Sequence, residues 1–160
     1  MFDRFTFPAR RVILFARSGL TQHGGARIDS DALLWGLLRE APELVEALLG
    51  AESPDALRQA IVTDRGDAEK LPPQSDAPLA RDAYKALSLA EEEARRLGSK
   101  SVGLVHLLLG LLADRDGSAS RRLTVAAAVM EQARALARDP ALLALDDRAE
   151  RSDLGNLFSG

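Results

Sequence analysis

The amino-acid sequence predicts an all-α fold made of two pseudo-symmetric repeats of about four helices each. Three observations carry this reading. Ala, Leu, Glu and Arg, all strong helix formers, dominate the chain, whereas aromatic residues make up only 4% of it and β-branched residues are sparse. Apolar residues recur every three or four positions, the spacing of one face of a helix. Finally, at an offset of 74 positions, the separation of Ala9 and Ala83, the two halves of the chain align without a gap. Val12 falls on Ala86, Ile13 on Leu87, Ala16 on Ala90, Gly24 on Gly98 and Ile28 on Val102. Leu33-Leu34-Trp35-Gly36-Leu37-Leu38 then falls on Leu107-Leu108-Leu109-Gly110-Leu111-Leu112. Unrelated leucine-rich helices could share the leucines, but not also the glycines, the helix lengths and the loop between them.

The elements follow in order. Thr6 caps a first helix with Pro8 in its first turn. Ala9, Val12, Ile13, Ala16 and Leu20 form its apolar face, and Gly24-Gly25 ends it. Asp29 or Ser30 caps a second helix carrying Leu33, Leu34, Leu37 and Leu38, interrupted at Ala41-Pro42. A short third helix carries Leu44, Val45, Leu48 and Leu49 and stops at Gly50. Ser53-Pro54-Asp55 is a start signal for a fourth, with Leu57, Ala60 and Ile61 on its inner face. The polar stretch 64–77, with Pro72-Pro73, reads as a linker. Repeat two then opens with a long helix from about Pro78 to Leu97, closed by Gly98. A further helix spans about Val105 to Ala113, a short one ends at Leu123, and one capped by Thr124 runs to about Arg138. Asp139-Pro140 starts a last short helix, and Ser152 to Gly160 reads as a tail. The domain plan is therefore a double repeat over 1–138 (repeat one 1–63, linker 64–77, repeat two 78–138), followed by a short helix and tail over 139–160.

The second helix of each repeat is apolar on most sides and must be surrounded by other helices. Gly36 and Gly110 lie inside those helices, where glycine costs roughly 1 kcal/mol relative to alanine. Close approach of another helix would explain why they are tolerated.

With 160 residues the chain can bury a core without covalent staples, and it contains no cysteine, which excludes disulfides and thiolate metal sites. Net charge is −3, and the only lysines are Lys70, Lys85 and Lys100. That balance argues against a nucleic-acid-binding face. No apolar run approaches the roughly 18 residues needed to span a bilayer, and Met1-Phe2-Asp3-Arg4 lacks the pattern of a secretory signal. The expected compartment is the cytoplasm.

At this point the residues resemble a known family. Met1-Phe2-Asp3-Arg4-Phe5-Thr6-Phe7-Pro8-Ala9-Arg10-Arg11-Val12 is similar to the start of ClpC chains. Glu92-Glu93-Ala94-Arg95-Arg96-Leu97-Gly98, Val102-Gly103 and His106-Leu107-Leu108-Leu109-Gly110-Leu111-Leu112 resemble elements of the second repeat in the amino-terminal domain of ClpA/ClpC-type Clp ATPases. The resemblance covers residues 1 to about 138. In that family the domain sits on an ATP-driven unfolding ring, docks adaptors and recognises substrates. It therefore implies a protein- or peptide-binding module acting as adaptor, substrate-recognition or decoy domain. Its partners would be a Clp ATPase, adaptors or protease subunits, with neither nucleic acid nor membrane. Two alternatives remain open: a regulatory subunit docking on a Clp protease ring, and a sensor of a small molecule or modified residue in a groove between the repeats. No ATPase module fits in this length, and the stretch after Pro140 does not resemble the start of one, so a free-standing domain is the expectation.

The chain is not expected to be an enzyme or to hold a cofactor. Gly98-Ser99-Lys100-Ser101 lacks the glycine spacing of a phosphate loop. No motif assembles a Ser, His and Asp trio, and two histidines in separate repeats make a poor metal site. His106 reads as a buried histidine tying its helix to a loop, and His23 as exposed. Glu91-Glu92-Glu93 with Arg95-Arg96 reads as a solvated face.

Some ClpC-type domains bind phosphoarginine through the acidic residue of a Thr-Glu-His motif in each repeat. The corresponding residues are Ser30-Asp31-Ala32 and Leu104-Val105-His106. Asp31 keeps a carboxylate for a guanidinium and Val105 does not, so such binding is expected to be lost or confined to one site. Asp31 equally suits the first turn of a helix through the helix dipole. Trp35 either fills core or, if partly exposed, anchors a partner. The family resemblance also implies a peptide groove between the repeats, lined by Phe2, Ile13, Arg17, Pro78, Leu79 and Tyr84. Phe2 and Leu79 serve equally well as packing between the repeats.

Overall fold

A computed structural model describes residues 2–49, 53–123 and 127–147 of the chain. It is all-α, with nine helices among the described residues. Repeat one comprises α1 (Phe7–His23), α2 (Ser30–Glu40), α3 (Pro42–Leu49) and α4 (Pro54–Arg65). Repeat two comprises α5 (Arg81–Arg96), α6 (Leu104–Ala113), α7 (Ser118–Leu123) and α8 (Ala127–Leu136). Residues 140–147 form α9. The expected stop at Gly50, the cap at Thr124 and the tail from Ser152 lie outside the described residues.

Local chemistry sets the helix ends. Thr6 Oγ1 accepts from Ala9 N at 3.3 Å, and Pro8 sits in the first turn of α1, where its missing N–H costs nothing. Gly24, at φ 111°, terminates α1 in a conformation that L side chains rarely adopt. Asp29, rather than Ser30, caps α2, accepting from Ala32 N at 2.8 Å. Its carboxylate also meets Arg65 of α4 at 2.6 Å. Across the hairpin, Arg11 of α1 donates to both carboxylate oxygens of Glu40 at the end of α2.

The second helix of each repeat is the centre of its bundle. Every residue from Ser30 to Leu38 is buried, as is every residue from Leu104 to Leu112. α2 packs on α1 and α4, α6 on α5 and α8, and α2 meets α6 at the middle of the molecule. Gly36 and Gly110 set how closely each hairpin closes. A Cβ at Gly36 would run into the carbonyl oxygen of Val12 and crowd Ala16 N. A Cβ at Gly110 would strike the carbonyl oxygen of Ala86 and Ala90 N. Val12 and Ala16 are the repeat-one counterparts of Ala86 and Ala90, so the two backbone contacts are copies of one another.

The repeats are also interlocked. Phe5 pairs with Val102 and Leu79 with Ile28, each in a single parallel bridge. In the first bridge Val102 N donates to Arg4 O at 2.8 Å and Thr6 N to Val102 O at 3.0 Å. In the second, Ile28 N donates to Pro78 O at 2.9 Å and Ala80 N to Ile28 O at 2.8 Å. The two bridges exchange under the offset of 74, so each repeat's lead-in segment is held by the loop between the first two helices of the other. This is why α5 begins at Arg81 rather than near Pro78: Pro78 to Ala80 are extended and committed to Ile28. The stretch before them also runs along the body, with Leu71 buried and its N–H donating to Leu20 O at 3.1 Å.

The first amides of the two second helices are equivalent under the offset, but the carboxylates that satisfy them are not. The first amide of α2, Ser30 N, donates to Asp82 of α5 at 3.1 Å. The first amide of α6, Leu104 N, donates to Asp146 of α9 at 3.3 Å. Each satisfies a helix-terminal donor that has no partner within its own helix. Ser30 Oγ also donates to Asp82 at 2.9 Å and accepts from Ala119 N at 3.0 Å, joining α2, α5 and α7.

Two electrostatic details bear on stability. His106 is 3% exposed, and its Nδ1 accepts from Gly103 N at 2.9 Å, the tie between helix and loop that the sequence suggests. Burial pushes its pKa below 6.5, opposed by the charge of Glu93. Glu93 itself is buried, contrary to the solvated face expected of it. It lies on the inner side of α5, where Arg134 of α8 donates to both of its oxygens at 3.1 and 3.3 Å and Arg96 approaches at 3.3 Å.

Substituting Gly36→Ala or Gly110→Ala will cost about 2 kcal/mol each, because overpacking a rigid backbone contact outweighs the gain in helix propensity. Equilibrium urea unfolding measures this, and an unchanged midpoint would contradict the close approach. The fold will also weaken in mild acid. His106 has a folded pKa below its unfolded value of 6.5. Its contribution is therefore complete above pH 6.5 and is lost as pH falls through the folded pKa. His23, lowered by burial and then by Lys70, acts in the same direction. His106→Gln keeps an acceptor for the Gly103 amide but removes the proton, so unfolding between pH 7.5 and 5.5 will depend less on pH in that variant.

Candidate functional site

The side of α1 turned away from α2 carries residues that the core does not use. Phe7, Arg10, Leu14 and Arg17 are spaced to form one stripe. Phe7 is 48% exposed and Leu14 65% exposed. Beside the stripe lies an open groove of about 490 Å³. Arg10, Ile13, Leu14 and Arg17 form its α1 wall, Phe2 closes one end, and Ile28 with residues 74–77 forms the opposite wall.

The groove is built by the interlock. The Ile28–Leu79 bridge brings the 74–77 stretch alongside α1, and the Phe5–Val102 bridge fixes Phe2, whose ring meets Phe5 edge-on at 5.2 Å. Arg17 fastens the far wall by donating to Pro73 O at 2.8 Å and to Ser75 O. Arg10 donates to Phe2 O and Asp3 O, both at 3.2 Å, with its guanidinium 5.6 Å from the Phe7 ring. Both guanidiniums bond carbonyl oxygens, and the opposite wall adds one carboxylate, Asp76, so two cationic side chains and one anionic one border the apolar residues. An extended or helical peptide offering apolar side chains and a carboxylate matches this surface.

Of the residues the sequence singles out, Phe2, Ile13 and Arg17 come together here. Pro78 and Leu79 lie outside the lining, engaged with Ile28. Tyr84 is 54% exposed on α5 but does not line the groove either. Trp35 does not meet the condition for a partner anchor, because it is 6% exposed. Its indole lies over Gly19, where an added Cβ would sit 3.0 Å from the ring, and His23 stacks edge-on at 5.6 Å. His23 is accordingly half-buried rather than exposed.

Asp31 is buried and already holds a guanidinium. Arg122 of α7 donates to its two oxygens at 2.8 and 3.0 Å and reaches Asp64 of α4 at 2.6 Å. The hydrogen bond with Asp31 is the main cause raising the Arg122 pKa. The first-turn position of Asp31 on α2 stands, but its carboxylate is taken up inside the fold. Sequence reasoning missed Arg122, since nothing in local spacing links it to a residue 91 positions away. It also missed Arg10 and Leu14, whose signal was present: both fall outside the apolar face of α1. Among the described residues no three His, Cys, Asp or Glu side chains converge to hold a metal ion, and no helix is long and apolar enough to cross a membrane.

The comparisons with known proteins agree with this architecture. The model of the Clp repeat (R) N-terminal domain matches residues 4–126. The chain is 33% identical over 130 residues to the chloroplastic chaperone protein ClpC of Pisum sativum, covering 76% of this chain and 13% of that protein. It is 37% identical over 118 residues to an uncharacterized protein of Mycobacterium tuberculosis, covering 72% of this chain and 46% of the relative. It thus spans less than half the length of either. The crystal structure of the N-terminal domain of the chaperone ClpD from Arabidopsis thaliana superposes with a TM-score of 0.66, at 24% identity, over 85% of this chain and 95% of that one. A likeness at that identity speaks for the fold alone. The family match over residues 4–126, together with the doubled helical hairpin, places the chain in the Clp repeat (R) N-terminal domain family.

Proposed function

We propose that this chain is a non-catalytic protein- and peptide-binding module of the Clp chaperone–protease system, acting in the cytoplasm, and that the groove along α1 is its binding site. The observation that carries the reading is the groove itself: an apolar lining of Ile13, Ile28 and the exposed Leu14, with Arg10 and Arg17 on the α1 side and Asp76 on the other. Its walls come from segments that the fold already holds rigidly, so little ordering cost falls on the protein side when a peptide enters. The family supplies the setting, since the chaperone ClpC of pea carries a matching region. The ligand in this reading is a short segment with one or two large apolar side chains and a nearby carboxylate. Adaptor and substrate-recognition roles both follow from such a site, depending on which protein presents the segment.

Two measurements test this. Labelled peptides of that composition, titrated against the chain and followed by fluorescence anisotropy, will bind at least about tenfold more weakly to Leu14→Glu than to the parent, equivalent to about 1.4 kcal/mol. The circular dichroism of that variant will be unchanged, because Leu14 is an exposed side chain. Equal binding to both proteins would move the site elsewhere. Free phosphoarginine will leave the melting temperature of the chain unchanged, since Arg122 holds Asp31 and the matching position of repeat two is Val105. A ligand-dependent rise would show that Arg122 can be displaced.

A further inference from the structure

The chain carries a candidate occupant for its own groove. α9 ends beside the start of α1: Asp146 accepts from Thr6 Oγ1 at 2.5 Å and from Leu104 N at 3.3 Å. Residues 148–160 therefore depart from a point next to Thr6, one residue before the exposed Phe7. The groove lies along α1 from there, and Arg17 is ten residues on, roughly 15 Å at 1.5 Å per residue. Residues 148–160 can span roughly 40 Å when extended, so reach is ample. Their composition matches the groove. Leu154, Leu157 and Phe158 place three large apolar side chains within five residues, and Asp153 sets a carboxylate directly before them. The three apolar side chains suit Ile13, Leu14 and Ile28, and the carboxylate suits the Arg10 and Arg17 side of the groove, away from Asp76 on the opposite wall.

We infer that residues 153–158 bind in the groove along α1 as an intramolecular ligand, with Leu154, Leu157 and Phe158 on the apolar floor and Asp153 toward the arginines. The inference rests on the groove being a peptide site. A tether this short gives an effective concentration in the millimolar range, so even a weak intrinsic fit fills the site. A partner segment must then compete with the chain's own, which raises the affinity needed for binding in trans.

The chain has no cysteine, so a spin label on Leu157→Cys reports on one position in the whole 160-residue chain. Paramagnetic broadening of amide NMR signals is the readout. Signals of Ile13, Leu14 and Arg17 will lose more than half their intensity, those of α4, which contributes no residue to the groove, will lose far less, and Leu14→Glu will restore the α1 signals. Absence of broadening on α1, or broadening that persists in Leu14→Glu, overturns the inference. A second arm uses a chain in which Leu154, Leu157 and Phe158 are all changed to Asp. It will bind a synthetic peptide of residues 148–160, and foreign peptides of like composition, about tenfold more tightly than the parent does. Should foreign peptides shift the α1 signals of both chains equally while the label stays silent, the tail inference falls and the groove reading stands. If no peptide perturbs α1 in either chain, both fall.

Discussion

The backbone around Phe5 and around Leu79 is extended, and an extended segment cannot satisfy its own amides and carbonyls as a helix does. In this molecule each segment finds its partners on the opposite repeat, at Val102 and at Ile28, through two bonds apiece. Much else follows from that exchange. It brings the two inter-helix loops to the seam, where Asp82 and Asp146 supply carboxylates to the first amides of α2 and α6. It sets α2 against α6, so that two helices apolar on nearly every side cover each other. It also carries residues 74–77 across the face of α1 and so creates the groove.

The duplication fixes the frame and leaves the side-chain detail free to diverge. The glycine contacts of the two hairpins are copies, because a backbone-to-backbone approach tolerates no alternative at Gly36 or Gly110. Away from those contacts the copies have separated. Where repeat one has Gly19 beneath Trp35, repeat two has Glu93 and Leu109, and the space given to an indole in one copy is given to a buried ion pair with Arg134 in the other. Where repeat one has Asp31 bound by Arg122, repeat two has the apolar Val105. The divergence is therefore interior: an indole and an arginine-bound aspartate fill one copy, a buried ion pair and a valine the other.

The sequence was legible wherever a feature has a short-range cause. Thr6 and Asp29 announce their helices through side-chain chemistry within three residues, Gly24 its stop, and the offset of 74 exposes the duplication directly. The interior glycines were legible as close contacts because no other reason tolerates them there. What could not be read are the pairings that depend on tertiary approach: Arg122 with Asp31, Arg134 with Glu93, and Leu79 with Ile28, which holds three residues out of α5. Glu93 shows the difficulty well. In a run of charges it looks solvated, and only the arrival of α8 from 41 positions away makes burial affordable. The groove was half legible, since Phe2, Ile13 and Arg17 were identified while the exposed Leu14 and Arg10 were not.

The exchanged bridges have a consequence for the order of events during synthesis. Phe5 and Val102 are separated by 97 positions, an unusually long closure for a helical protein, whose contacts are mostly local. On a ribosome adding about 5–20 residues per second, roughly 5–20 s pass between the two residues. Once α2 is complete at Glu40, with 62 positions still to come before Val102, the α1–α2 hairpin can close on Gly36, but the segment around Phe5 has no strand to join. Repeat one therefore emerges as a folded hairpin with an unclaimed leader, exposing Phe2 and Phe5 until the second copy arrives. Two repeats joined in this way are a single folding unit in time as well as in space, and neither copy can be completed before the other exists.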